Sequence, residues 1–294
     1  MNKSDVSEHY REAFDVVGEL EKKFGKSVVY IENTEVFFKK FSAEIKRILL
    51  KKGIINTINF KLEDLHKLVD RSLFEYHKVD GVSPIGTMLY ETDSQFISVY
   101  HEFLKWVASD VLGFDFYFQK TPTIRVQAPD DIAVIDSNDL PYPTYHTDLE
   151  YGHPPQEINM WWSFTLNKHT GFGITDFQKS RDWYKKFNFN LTDFKKASLS
   201  RGKDFNDHGN SICEEVQGGK LLLFESRCIH STLSRKDETT RISIDARINP
   251  VKNFKWIEIE GKPLYKGSGR RKVEFKPGSP GGYHKSSIKN LKLR

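Results

Sequence analysis

Cysteine is scarce in this chain: Cys213 and Cys228 are the only two in 294 residues. Two thiols cannot build a disulfide framework, so the expectation is a pair of free thiols in a reducing compartment and a fold held by its core. No apolar run reaches the roughly 18 residues of a membrane helix. The opening MNKSDVSEHYREAF has no apolar segment of the kind a secretory signal carries. The expected location is therefore cytoplasmic, with no membrane partner. An excess of one charge is missing too. Forty-five Lys and Arg face 40 Asp and Glu, a net +5, and the two signs are interspersed. That argues against nucleic acid as a partner.

Aromatic residues are plentiful: they make up 13% of the chain, including 22 Phe, so a large aromatic core is expected. The first 113 residues read as mainly helical. VSEHYREAFDVVGELEKKF, NTEVFFKKFSAEIKRILLKKG, KLEDLHKLVDRSLFEYHKVDG and DSQFISVYHEFLKWVASDVLG place apolar residues at mixed three and four spacing, and the last three end in Gly. After Gly113 the texture changes to β-branched and aromatic alternation. FDFYFQKTPTIRVQAP, EINMWWSFTL, GGKLLLFESRCIHSTL and TTRISIDARINPV read as strands. A polar, aromatic insertion spans 171–211, where a lid over a site is the natural expectation. The segment 251–294 is a Gly-, Pro- and Lys-rich extension that reads as a solvated tail. Helices followed by short strands suit an α+β fold, a β-sandwich or barrel braced by N-terminal helices.

The stretch PYPTYHTDLEYGHPPQEINMWW sets His146 and Asp148 two apart, which puts both on one face of a strand. His230 lies at the end of the apolar run that begins at Lys220. Arg241 follows eleven residues later, with Ser243 on the same strand face. Two imidazoles and one carboxylate can hold an iron(II) while leaving open positions for a bidentate acid and dioxygen. An arginine fork can grip a second carboxylate through two charge-assisted hydrogen bonds.

His146-Thr147-Asp148, His230 and Arg241-Ile242-Ser243 together resemble the H-x-D…H…R-x-S signature of 2-oxoglutarate/Fe(II)-dependent oxygenases. The wording RVQAP…YHTDLEYGHPPQEINMWW…LLLFESRCIHSTLSRKDETTRISIDARI is similar to the phytanoyl-CoA-dioxygenase-like branch. It particularly resembles the streptomycin-cluster and carbohydrate-cluster oxygenase group, over roughly Phe114 to Pro250. The resemblance implies a double-stranded β-helix (a jelly roll, cupin-like) within a single domain over 1–294. Residues 1–113 would be its helical support, 114–250 the core and 251–294 the extension. It implies Fe(II) on His146, Asp148 and His230, and 2-oxoglutarate as co-substrate on Arg241, Ser243 and Asn159, with O2 as oxidant. The reaction implied is that of a 2-oxoglutarate-dependent dioxygenase oxidising a small polar or anionic metabolite, most simply by hydroxylation, with succinate as co-product. Retention of Asp148, where related halogenases carry Gly or Ala, disfavours halogenation. Desaturation, cyclisation and epimerisation stay open alternatives, as does a non-enzymatic jelly-roll binding module.

Further residues have two readings. Arg125, Tyr145, Trp161 and Arg247 are candidates for substrate contact, or else strand residues that pack and pair. Trp162 reads as core packing. His153 reads as support or loop structure near the site, and His169, His208 and His284 as solvated loop histidines. Cys228 reads as a small buried thiol.

Overall fold

The computed structural model describes residues 11–74, 83–90, 93–129, 145–151, 153–200, 212–233, 237–253, 258–259, 262–263, 283–284 and 286–291. The first expected helix is broken. Residues 11–15 are helical, and helix α1 (Glu19–Phe24) begins afresh after an extended Gly18. Next comes a short strand, β1 (Val28–Ile31), that the helical pattern on either side concealed. Helix α2 (Glu35–Lys51) stops before Gly53, whose positive φ of 69° suits a residue without a Cβ.

The third expected helix is instead two 3-10 turns, Leu62–Lys67 and Arg71–Phe74. Tertiary contacts decide this: Thr240 Oγ1 accepts from the His66 amide, and the Thr240 amide donates to Glu63 O. The end of that expected helix lies outside the described residues. Helix α3 (Pro84–Tyr90) precedes α4 (Ser94–Trp106), which Asp93 caps by accepting from the Phe96 amide at 3.2 Å. A π turn, Val107–Leu112, continues α4 to Gly113.

The strand-rich part runs β2 (Phe116–Phe118), β3 (Thr123–Gln127), β4 (Ile158–Ser163) and β5 (Phe172–Ile174). Helices α5 (Phe177–Lys186) and α6 (Leu191–Ser200) follow inside the insertion. Strands β6 (Glu214–Glu215), β7 (Leu221–Glu225), β8 (His230–Thr232) and β9 (Arg241–Pro250) come next, and a short antiparallel pair, β10 (Glu258–Ile259) and β11 (Lys262–Pro263), follows. One antiparallel sheet has the order β1-β7-β4-β9-β2, with β3 also paired to β9; a second has the order β6-β5-β8. The mixture of helices and antiparallel sheet agrees with the expected α+β class. The apolar run from Lys220 to His230 is not one strand. It turns at 226–229, and His230 opens β8 in the other sheet.

Alternation along the large sheet separates two environments. Ile158, Met160 and Trp162 of β4, with Ile242, Ile244, Ala246 and Ile248 of β9, join one core with α2 and α4. In it Trp162 lies against Phe38, Phe41 and Phe103. Each such large side chain withdrawn from water contributes about 1.5–3 kcal/mol. The opposite face carries Trp161, Leu222 and Phe224 into a second core with Ile174, Cys213, Cys228, Tyr184 and Phe194. On β9 that face holds Arg241, Ser243, Asp245 and Arg247. Polar groups at alternate positions of a largely buried strand are costly unless they serve a site.

The extreme C-terminal segment is not a solvated tail where it is described. Tyr283 and Ile288 are buried, and the His284 and Ile288 amides donate to Phe118 O and Phe116 O. His284 stacks on Phe118 at 5.0 Å, and His169 lies 3.1 Å from Glu215. His284 is therefore not the solvated loop histidine expected, whereas His169 does sit in a loop with its side chain partly exposed, and His208 lies outside the described residues. Both cysteines are free and buried, as expected.

Candidate metal centre

Two separate chain segments meet to make the site. His146 and His230 form an isolated antiparallel bridge, each amide donating to the other's carbonyl, at 3.1 and 2.9 Å. Their rings therefore project side by side, with centroids 4.4 Å apart. Past Thr147 the chain enters a 3-10 turn, and the Asp148 amide donates to Ser226 O at 3.0 Å. Potential ligand atoms of His146, Asp148 and His230 all lie within 4.8 Å of one another, and all three residues are buried.

The donor set fits a divalent metal. His230 Nδ1 lies 3.0 Å from Cys228 O, which fixes a tautomer that leaves Nε2 bare toward Asp148 Oδ1 at 3.8 Å. Burial keeps the His230 imidazole below its ordinary pKa, hence neutral, as a ligand must be. For Asp148, burial alone would push the pKa up. Arg247, with His153, His230 and His146, outweighs it and holds the carboxyl well below the usual carboxylate range. Asn159 donates to Asp148 Oδ2 at 2.6 Å and so sets the carboxylate's rotation.

A second buried trio, Asp148, His153 and Glu157, also brings three donor atoms within 4.8 Å. His153 Nδ1 lies 2.5 Å from Glu157 Oε1. Arg247 Nε lies 3.6 Å from both Asp148 Oδ2 and Glu157 Oε1. A guanidinium thus already supplies the positive charge there. Tyr283 donates to Glu157 from the far end of the chain.

One cavity is lined by His146, Asp148 and His230 together with Asn159, Trp161, Phe172, Arg125, Arg241, Asp245 and Arg247. Arg241, 2% exposed, donates to Thr170 O at 2.7 Å, and its guanidinium carbon lies 5.8 Å from the Trp161 ring centre. Ser243 is buried with an Oγ that has no hydrogen-bond partner among the described residues, though it is not among the cavity-lining residues. Trp161 stacks on Phe172 at 4.7 Å to form a wall. Arg125 pairs with Asp245. Tyr145 lies outside the lining and packs against the second core. Asn159, expected at the co-substrate, lines the cavity and donates to Asp148.

Sequence reasoning missed Glu157, Thr147, Glu150 and Tyr184. Glu157 left one signal: a carboxylate at the head of the entirely buried run INMWWS.

No protein-family model and no curated protein matches the chain. Solved structures of non-haem oxygenases are similar to it in overall shape. One is the non-haem α-ketoglutarate-dependent carbocyclase SnoK from nogalamycin biosynthesis, 14% identical, TM-score 0.47, covering 92% of each chain. A second is EctD from S. alaskensis with bound Fe, 15% identical, TM-score 0.43, covering 86% of this chain and 82% of the other. The same protein with 2-oxoglutarate and 5-hydroxyectoine is 14% identical, TM-score 0.39, covering 82% and 80%.

Proposed function

We propose that the chain is an iron(II)- and 2-oxoglutarate-dependent oxygenase that oxidises a C–H bond of a small polar metabolite, most simply by hydroxylation. The observation that supports this reading is the convergence of His146, Asp148, His230 and Arg241 on one cavity. Two antiparallel sheets, the smaller extended by the His146–His230 bridge, also suit a double-stranded β-helix.

His146 and His230 would bind iron through imidazole nitrogens and Asp148 through a carboxylate oxygen, leaving three positions open. Iron bound there with 2-oxoglutarate and dioxygen supplies the oxidation: one oxygen atom goes to substrate and the other to succinate, with loss of CO2. Arg241 offers its fork to the distal carboxylate of 2-oxoglutarate. Ser243, two residues along the same strand and without a partner among the described residues, would supply a further donor if the co-substrate reaches past the cavity wall to it. Trp161 and Phe172 exclude water along one wall. Arg125, Asp245 and Arg247 present alternating charge to the rest of the cavity, which favours a polar substrate such as an amino acid or a sugar-derived intermediate of a biosynthetic pathway.

Anaerobic addition of iron(II) and then 2-oxoglutarate should raise a weak visible charge-transfer band in the native protein and none in Asp148→Ala. A native protein that stays colourless while holding iron would remove the co-substrate from the reading. Uptake of O2 and release of succinate over a metabolite panel then identify the substrate.

A further inference from the structure

Helix α5, inside the insertion where a lid was expected, faces the metal segments with two residues one turn apart. Ser180 Oγ accepts the amide of Ile229 at 2.8 Å, and Ile229 immediately precedes His230. Tyr184, four residues on and therefore on the same helix face, donates its hydroxyl proton to Glu150 Oε1. That proton is then committed, so the Thr147 hydroxyl, 3.1 Å away, is the donor to the Tyr184 oxygen. Glu150 Oε1 also accepts the Thr147 amide at 3.2 Å. Thr147 is fully buried and sits between His146 and Asp148. One helix face thus grips the segments that carry all three ligands.

The grip is itself rigid. Tyr184 is fully buried, stacks on Phe194 of α6 at 4.2 Å and lies 5.0 Å from Phe14. Asp176 caps the helix, accepting from the Lys179 amide at 2.8 Å. Ser180 Oγ donates to Asp176 O at 2.7 Å, so its lone pairs point at Ile229.

We propose that Tyr184 is a positioning residue for the metal: through Glu150 and Thr147 it fixes the turn bearing His146 and Asp148 at the distance from His230 that one ion requires. The proposal rests on the metal reading above. Tyr184 touches neither ligand nor substrate and acts only through the turn. The insertion is on this account a brace, and it reaches the chemistry by setting ligand spacing.

Co(II) alone is a suitable probe, because its visible bands report ligand number and geometry. The native chain should take up one equivalent with a coordinated spectrum, and Asp148→Ala should lose it. Tyr184→Phe keeps the ring stack and removes only the hydroxyl. It should melt within a few degrees of the native chain yet bind Co(II) roughly 10-fold or more weakly, with shifted bands. Phe194→Leu loosens the stack but spares the hydroxyl; it should lower the melting temperature while leaving Co(II) affinity within a factor of about three. Native-like affinity and spectrum in Tyr184→Phe would overturn the proposal. So would an equal loss of affinity in Phe194→Leu, because the effect would then follow stability. A native chain that binds no Co(II) would instead defeat the metal reading, and the positioning role with it.

Discussion

Ser243 and Arg241 are neighbours on one strand face, yet their substitutions should act in different ways. Ser243 holds a buried hydroxyl without a partner among the described residues, a cost carried by the ligand-free fold. Ser243→Ala should therefore leave the ligand-free protein as stable or up to about 1 kcal/mol more stable, while weakening 2-oxoglutarate binding. A thermal melt paired with a co-substrate titration would show both signs. Arg241→Ala removes a charged fork worth about 1.5–3 kcal/mol, so the 2-oxoglutarate requirement should rise about 10- to 100-fold. An unchanged requirement would exclude Arg241 from that role. The side chains proposed for metal and co-substrate stand out in the sequence because H-x-D, H and R-x-S are strings whose residue types carry their own chemistry. Tyr184 and Glu157 do not, since their partners are set by folding. Glu157 meets Tyr283 across a separation of 126 residues, and no local pattern announces that.

Among the elements, the turn between β7 and β8 explains the main misreading. Glu225-Ser226-Arg227-Cys228 contains no Gly or Pro to mark a reversal. The reversal is held by distant contacts instead. Arg227 is fully buried, pairs with Glu225, reaches Glu21 at 3.2 Å and donates to Val16 O. The N-terminal segment thus fastens the turn that aims His230. Gly18 lies at the tightest point: a Cβ there would come within 1.6 Å of Glu225 Oε1, a carboxylate too confined to move aside. Gly18→Ala should cost about 1–3 kcal/mol through overpacking, read as a lower denaturant midpoint. An unaltered midpoint would mean the segment yields. Strand β1 escaped notice for a related reason: four residues between two helical patterns do not form a periodicity of their own, and β7 recruits them.

For the whole molecule, the described residues nearest the C-terminus are structural. Residues 283–284 and 286–291 lie along β2, burying Ile288 against the aromatic core and sending Tyr283 to Glu157. Removing everything after residue 282 should lower the melting temperature by several degrees, since one buried Ile alone is worth about 1.5–3 kcal/mol. The same contact sets an acid response. His101 packs edge-on to Phe118, and its pKa is lowered to about 4 by burial first, then by His284 and Lys105. The unfolded imidazole titrates near 6.5. The stability that His101 contributes is complete above that pH, and it falls as the pH drops toward about 4, because the unfolded chain takes the proton first. His101→Phe keeps a ring there without the titration. It should lose less stability than the native chain between pH 7 and pH 5, by on the order of 1 kcal/mol after solvent screening. Parallel urea midpoints at the two pH values would check this.

The reciprocal amide pairing of His146 with His230 has a consequence for how a cation arrives. Main-chain bonds already hold the two imidazoles abreast before any ion enters, so little ordering remains to oppose capture. The socket is finished in advance, and nearly all the attraction between ion and donors is expressed as affinity. Stripping the ion with a chelator should then leave the amide circular-dichroism spectrum unchanged, unlike a zinc finger, which unravels when its metal is taken away.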